Sequence, residues 1–339
     1  MAKPKRKKSE YVSGKLDITF LSFVLILFTI GLVMLFSASY AYSYEYYGNS
    51  YKFITRQALF GAVGIVIMLG VSKIDYHFWR RFAWIAYAVT IIMLGVLLVL
   101  PPMVDGMDVK RWIVIGPVNF QPSEVAKFAV ILLFSSLIAA NQKQMKSFRF
   151  IVFLVLLLGL TCGLVVLEPH LSATVLIFAI GVALLVVGGI PKRYIFAGAG
   201  AAAGLGVLAV ATGFIGYGSD RIKYWLDPWA DPTGLGFQTI QSLLAIGSGG
   251  ILGRGIGQSR QKYLWVPEPH NDFIFSIVCE ELGLIGAMVI IILFCLLVWR
   301  GFTIAMRSQD KFGSLLAIGL TFQVGLQAML NIWVVTNTI

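Results

Sequence analysis

Nine apolar runs divide this chain, at about 18–40, 54–71, 82–100, 123–140, 150–167, 171–189, 194–215, 272–299 and 312–336. Each is bounded by charges or proline and reaches or approaches the roughly 20 residues a helix needs to cross a bilayer of about 30 Å. A chain with so many such runs has almost nothing left for a soluble core. Its 58% apolar and 13% charged residues contrast with about 45–50% and 25% in soluble domains. None of the runs alternates with period two, and an open strand edge is untenable in lipid. The expectation is an all-α, polytopic transmembrane helix bundle with nine spans.

The basic residues then orient the bundle. With the N-terminus in the cytoplasm, one side collects Lys3, Lys5, Arg6, Lys7, Lys8 and Lys15. Lys73, Arg80, Arg81, Lys143, Lys146, Arg149, Lys192, Arg193, Arg300, Arg307 and Lys311 fall on the same side. The short loops opposite hold Lys52, Lys110 and Arg111, with Arg56 at a helix entrance. This asymmetry follows the positive-inside rule. It also accounts for the net charge of +11 through topology and anionic lipid, so nucleic acid is not expected as a partner. Residues 1–17 read as a basic cytoplasmic tail and 18–339 as one transmembrane domain. The apolar run after the tail is too long for a signal peptide and is read as a retained first span. Cys162, Cys279 and Cys295 lie in apolar runs without CxxC spacing, which implies neither a disulfide framework nor a zinc site.

One connection, residues 216–271, is placed outside the cytoplasm and is too aromatic for disorder. Its stretch Gln238 to Ile251 is apolar but too short to span, which suits an interfacial or re-entrant piece. In the seventh run, Gly200 and Gly204 at small-xxx-small spacing indicate close helix packing.

Ionisable residues at membrane helices are costly and ask for a role. Three groups qualify. In GPVNFQPSEVAKF, Glu124 and Lys127 stand one turn apart, either as a mutual ion pair or as the wall of a polar cavity. In WVPEPHNDFIFSIVCEELG, Glu268, His270 and Asp272 crowd together. Asp272, Ser276 and Glu280 follow at four-residue spacing, as if on one helical face, and Asp272 is open to reading as a helix cap. Glu280 and Glu281 lie deeper and need partners. The third group, GSGGILGRGIGQSRQK, has no Rossmann or P-loop context. A flexible loop with Arg254, Arg260 and Lys262 could hold a pyrophosphate, or simply face anionic headgroups.

At these residues the chain resembles the SEDS family (shape, elongation, division and sporulation), nearest to its FtsW and SpoVE branch. The matching tracts are GPVNFQPSEVAKF, the stretch from Arg221 to Gly286, and NIWVV from Asn331. The resemblance implies a ten-helix fold and an enzyme that polymerises lipid II into peptidoglycan glycan strands. It also implies a class B penicillin-binding protein (a transpeptidase) as partner, among other divisome or elongasome membrane proteins. The family's essential aspartate falls on Asp272, and its QPSE-x-x-K motif on Gln121, Pro122, Ser123, Glu124 and Lys127. Where the family has Pro-Asp-Leu-Gly, this chain has Pro169, His170, Leu171 and Ser172, and it stops at Ile339, before a tenth helix. That end is read as either a fragment or a natural shortening.

The chemistry implied is inverting glycosyl transfer at the outer face of the bacterial cytoplasmic membrane, with Asp272 as general base. Arg254, Arg260, Lys262 and Lys127 are candidates for holding the leaving pyrophosphate, with a divalent cation (Mg²⁺ or Mn²⁺) as a possible aid. Glu268, His270, Gln121 and Ser123 complete the expected site. The rival classes are a lipid II flippase and a scaffold that only recruits the synthase. A flippase would carry charge through the full membrane depth, whereas these charges concentrate in one half.

Overall fold

A computed structural model describes residues 16–100, 111–115, 118–168, 170–198, 200, 204, 223–234, 236–263 and 265–338. The long helices are α1 (Ile18–Tyr47), α2 (Lys52–Val71), α4 (Ala83–Val99), α5 (Pro122–Ala140), α6 (Phe148–Leu167) and α7 (Leu171–Gly188). After the 216–271 connection come α9 (Ile274–Met306) and α10 (Lys311–Val335). Two shorter helices are α3 (Tyr76–Arg80) and α8 (Phe237–Gly249). Eight of the nine expected spans are therefore helices. The expected span 194–215, with its Gly200 and Gly204, lies mostly outside the described residues, as does the basic tail. Seven of these helices are long and apolar enough to cross a membrane, and α4 is a shorter apolar helix.

Among the described residues, the bundle departs from the all-helical expectation at one place. Ile113–Ile115 (β1) and Val118–Phe120 (β2) pair antiparallel just before α5. Two helices also overrun their expected ends, α1 to Tyr47 and α9 to Met306. Thirty residues of α1 rise about 45 Å, so its tyrosine-rich end projects past the hydrocarbon core.

The interior divides into two apolar clusters. One gathers α4, α5, α6, α7 and the first half of α10 around Val130, Leu133, Phe134, Ile177 and Leu184. Helix α5 is buried at most positions and forms its axis. The other packs α1 against α9 and the end of α10 through Met34, Ala38, Ile277 and Val335. Helix α10 belongs to both and is the element that ties them together. Polar contacts fix the two ends: Arg300 on α9 holds Asp17 at the start of α1 at 2.8 Å, and the opposite end carries the loop into α9.

Candidate active site at one end of the bundle

The expected ion pair forms within the QPSE-x-x-K turn. Gln121 precedes α5 in extended conformation, and Pro122 takes the first helical position, where its missing N–H costs nothing. One turn later the Lys127 ammonium lies 2.8 Å from the Glu124 carboxylate. Lys127 is fully buried whereas Glu124 stays exposed at its edge. The buried ammonium also donates to Gln327 Oε1 on α10 at 2.8 Å. A charge taken out of water is tolerable only with such partners.

His170, at the entrance to α7, closes over this turn. Its Nδ1 lies 3.4 Å from both Gln121 Nε2 and Ser123 Oγ. Burial, with Arg111 nearby, pushes the imidazole down to about 4, so it is neutral there. Two residues earlier, Glu168 is 1% exposed, and neither carboxylate oxygen has a hydrogen-bond partner among the described residues. Burial raises it to about 7.

The PEPHND segment reaches the same end. Glu268 holds a left-handed backbone, φ 45°, and its carboxylate accepts from Asn271 Nδ2 at 2.9 Å. His270 is buried against the rings of Tyr42 and Phe53, with centroids 4.8 and 4.1 Å away, and burial lowers its pKa. Asp272 is exposed. The capping alternative does not hold for it: α9 starts at Ile274, its N-cap residue is Phe273, and no side chain caps it. The Asp272 carboxylate makes no hydrogen bond among the described residues, while its carbonyl accepts from Asn331 Nδ2 of α10 at 3.0 Å.

Gln327 and Asn331 are four residues apart, so one face of α10 grips both motifs a single turn apart. The sequence reading missed this use of α10, although Gln323, Gln327 and Asn331 recur every four residues through an otherwise apolar helix. That spacing was the available signal.

The glycine and basic tract requires a correction. It is a backbone dock and not a flexible phosphate loop. Helix α9 breaks at Gly283 (φ 66°, ψ −170°), and the residues after α8 fill the break. Arg254 N–H and Gly255 N–H donate to the Glu280 and Glu281 carbonyls at 3.0 and 2.9 Å, and Leu284 N–H donates to Gly250 O at 2.9 Å. Irregular backbone at such depth survives only when it is satisfied by protein in this way. A Cβ on Gly253 would sit 2.3 Å from the Glu281 carbonyl oxygen, which explains the glycine.

The side chains below the break are equally committed. Glu280 accepts from Ser259 Oγ at 2.5 Å and from Arg260 N–H at 3.0 Å. Glu281 accepts from Ser37 Oγ at 2.7 Å and pairs with Lys262 at 3.0 Å. Lys262, expected to meet a pyrophosphate, is buried and spent on Glu281. Arg254 donates to Ser248 O at 3.2 Å and stands 3.8 Å from Glu280. Only Arg260 is exposed with no side-chain hydrogen bond or ion pair among the described residues. The expected face of Asp272, Ser276 and Glu280 is not formed either. Asp272 precedes the helix, Ser276 Oγ turns back to Phe273 O, and Glu280 lies about 9 Å along α9 from its start at Ile274. No group of three His, Cys, Asp or Glu side chains is placed to hold a metal ion among the described residues.

Residues 18–339 match the cell cycle protein family of FtsW, RodA and SpoVE. The chain belongs to that family. Among its FtsW/RodA/SpoVE relatives, stage V sporulation protein E of Bacillus subtilis (strain 168) is 38% identical over 333 residues, 95% of this chain and 88% of the relative. A probable peptidoglycan glycosyltransferase FtsW of Geobacter sp. (strain M18) is 36% identical over 325 residues, 95% of this chain and 87% of the relative. A chain from a peptidoglycan synthase complex, solved for its coordination of polymerization and crosslinking, superposes with a TM-score of 0.77 at 27% identity. That match covers 94% of this chain and 87% of the other. The rod shape determining protein RodA of Thermus thermophilus shares the fold, with a TM-score of 0.66 at 22% identity over 94% of this chain and 84% of that one.

Proposed function

We propose that this FtsW/RodA/SpoVE member is a peptidoglycan glycosyltransferase that polymerises lipid II, with Asp272 as its general base. The single observation that carries the assignment to Asp272 is its exposed carboxylate, unused by the fold, in a segment clamped by Asn331, one turn along α10 from the Gln327 that holds the buried Lys127 of the Glu124–Lys127 pair. In the reaction, the acceptor sugar's 4-hydroxyl oxygen attacks the anomeric carbon of a second lipid-linked sugar. The carboxylate takes the hydroxyl proton, and the bond to pyrophosphate breaks with its electron pair leaving on the pyrophosphate.

Arg260, from the loop, is the cation left to meet that negative charge, whereas Lys127 is buried and held by Glu124 and Gln327. A divalent cation, Mg²⁺ or Mn²⁺, fits this end only if the pyrophosphate itself carries it with a carboxylate such as Asp272. Magnesium is commonly held in that manner, and it would supply charge neutralisation. The relative found in a peptidoglycan synthase complex supports a penicillin-binding protein as partner, of class B by the motif resemblance, with other divisome or elongasome proteins beyond it. The location is the bacterial cytoplasmic membrane with the N-terminus inside, on the charge asymmetry alone.

The test is polymerisation of lipid II by the purified protein with its penicillin-binding protein present. Asp272→Asn should fold with an unchanged Tm, since the carboxylate supports no described contact, and should lose about 10²-fold to 10⁴-fold in kcat. An Asn variant with wild-type turnover would remove Asp272 as the base. A wild-type protein that moves lipid II across liposomes without ever polymerising it would favour the flippase.

A further inference from the structure

The end of the bundle opposite Asp272 carries a second built feature. Here α3 with its caps, Asp75–Arg81, meets the α9–α10 turn. Tyr76 OH donates to Asp310, His77 Nδ1 lies 2.8 Å from Asp75, and His77 Nε2 lies 3.6 Å from Asp310. These contacts pin the short helix α3 against the bundle and leave a cavity of about 480 Å³ beside it. The cavity is lined by Asp75, His77, Phe78, Arg80 and Arg81, with Ser136 from α5. The acidic wall is occupied, because Asp75 caps α3 through the His77 N–H and holds the His77 ring. The two guanidiniums are not. Arg80 lies over the Phe312 ring at 5.6 Å, and neither Arg80 nor Arg81 has a carboxylate partner among the described residues. Phe78, Phe82 and Trp84 are exposed on the adjoining surface at 44%, 40% and 49%, where α4 enters the hydrocarbon.

We infer that this cavity is a binding site for the headgroup of an anionic phospholipid. Two forked donors and a serine hydroxyl match a phosphodiester, which guanidinium grips through paired charge-assisted hydrogen bonds. The aromatic side chains beside them offer an apolar surface to the acyl chains. Basic pockets between membrane helices on the cytoplasmic side serve anionic headgroups in this manner. An acidic peptide would also answer the charge. Continuity with lipid-facing aromatic side chains selects the lipid. The assignment to the cytoplasmic leaflet rests on the proposed orientation, whereas the site itself does not.

The test is native mass spectrometry of the full chain, purified in detergent and titrated with phosphatidylglycerol or phosphatidylcholine. Wild type should retain phosphatidylglycerol at least fivefold over phosphatidylcholine. Arg80→Gln with Arg81→Gln should abolish that preference, while Lys143→Gln with Lys146→Gln, an equal loss of charge at the same face, should keep it. Should the double variant fail to fold, Arg81→Lys alone serves, since it keeps the charge and loses the fork; weaker retention is expected. Equal retention of the two lipids by wild type overturns the proposal, as does an undiminished preference in the arginine variants. Displacement of the lipid by millimolar inorganic phosphate would make this a site for a free anion, and an acidic peptide that displaces it would make it a peptide site; both overturn it. Retention in detergent does not depend on orientation, so a failure here is distinct from a failure of the topology.

Discussion

At the scale of single residues, the candidate site separates side chains that the fold uses from those it leaves over. Lys262 and Glu280 are consumed by their partners; Asp272 and Arg260 are not. Glu168 is a third kind, a buried carboxylate with no partner among the described residues, raised to about 7. Because its pKa in the folded protein lies above its ordinary value, the folded state holds the proton more tightly. Its contribution is then fully present at pH below about 4.5 and is lost as pH rises to about 7. His170 and His270 are lowered instead, so their contributions are present above their ordinary value and are lost as pH falls. Glu168→Gln isolates the first effect. Across pH 5 to 8, the wild-type Tm minus that of the variant should decline with rising pH, as read by differential scanning fluorimetry. A flat difference would show that Glu168 ionises freely in the folded protein.

At the scale of elements, the helices were legible and the contacts between them were not. Apolar length and charged boundaries set α2, α5, α6 and α7 within a few residues, because a bilayer imposes length directly. The spacing of Glu124 and Lys127 likewise announced a contact that the helix alone dictates. The break in α9 could not be read the same way. CEELGLIG looks like uninterrupted helix, and only the approach of Gly249 to Gly255 from another segment shows why Gly283 must be glycine. Gly253→Ala should therefore lower stability by about 1–3 kcal/mol or more, whereas Gly247→Ala, with nothing within 4 Å of the new carbon, should be neutral or mildly stabilising. Thermal unfolding of the two variants checks this contrast.

Helix α10 gives a second test at this scale. Asn331→Leu frees the Asp272 carbonyl without touching its carboxylate. If the clamp positions the base, kcat should fall about tenfold to 10²-fold with KM unchanged, since a displacement of about 1 Å is enough. A variant that loses only Tm would mark Asn331 as structural.

At the scale of the molecule, the two apolar clusters meet at α10, and the polar chemistry sits at opposite ends of the bundle. Asp272 and the Glu124–Lys127 pair occupy one end; Asp17–Arg300, the Asp75–Arg81 turn and Asp310 occupy the other. This arrangement matches the partition of Lys and Arg along the sequence, since Arg80, Arg81, Lys143, Lys146, Arg300, Arg307 and Lys311 all fall at the second end. The sidedness follows from that charge count and is open to direct measurement. Glu45, exposed on the overhanging end of α1, and Gln144, exposed in the turn after α5, lie at the two ends. In a background with Cys162, Cys279 and Cys295 replaced, a single cysteine at position 45 should react in intact cells with a membrane-impermeant maleimide. One at position 144 should react only after the membrane is opened. The reverse pattern would place Asp272 in the cytoplasm, away from the face where a glycan strand is needed, and would overturn both the orientation and the proposed site of polymerisation together.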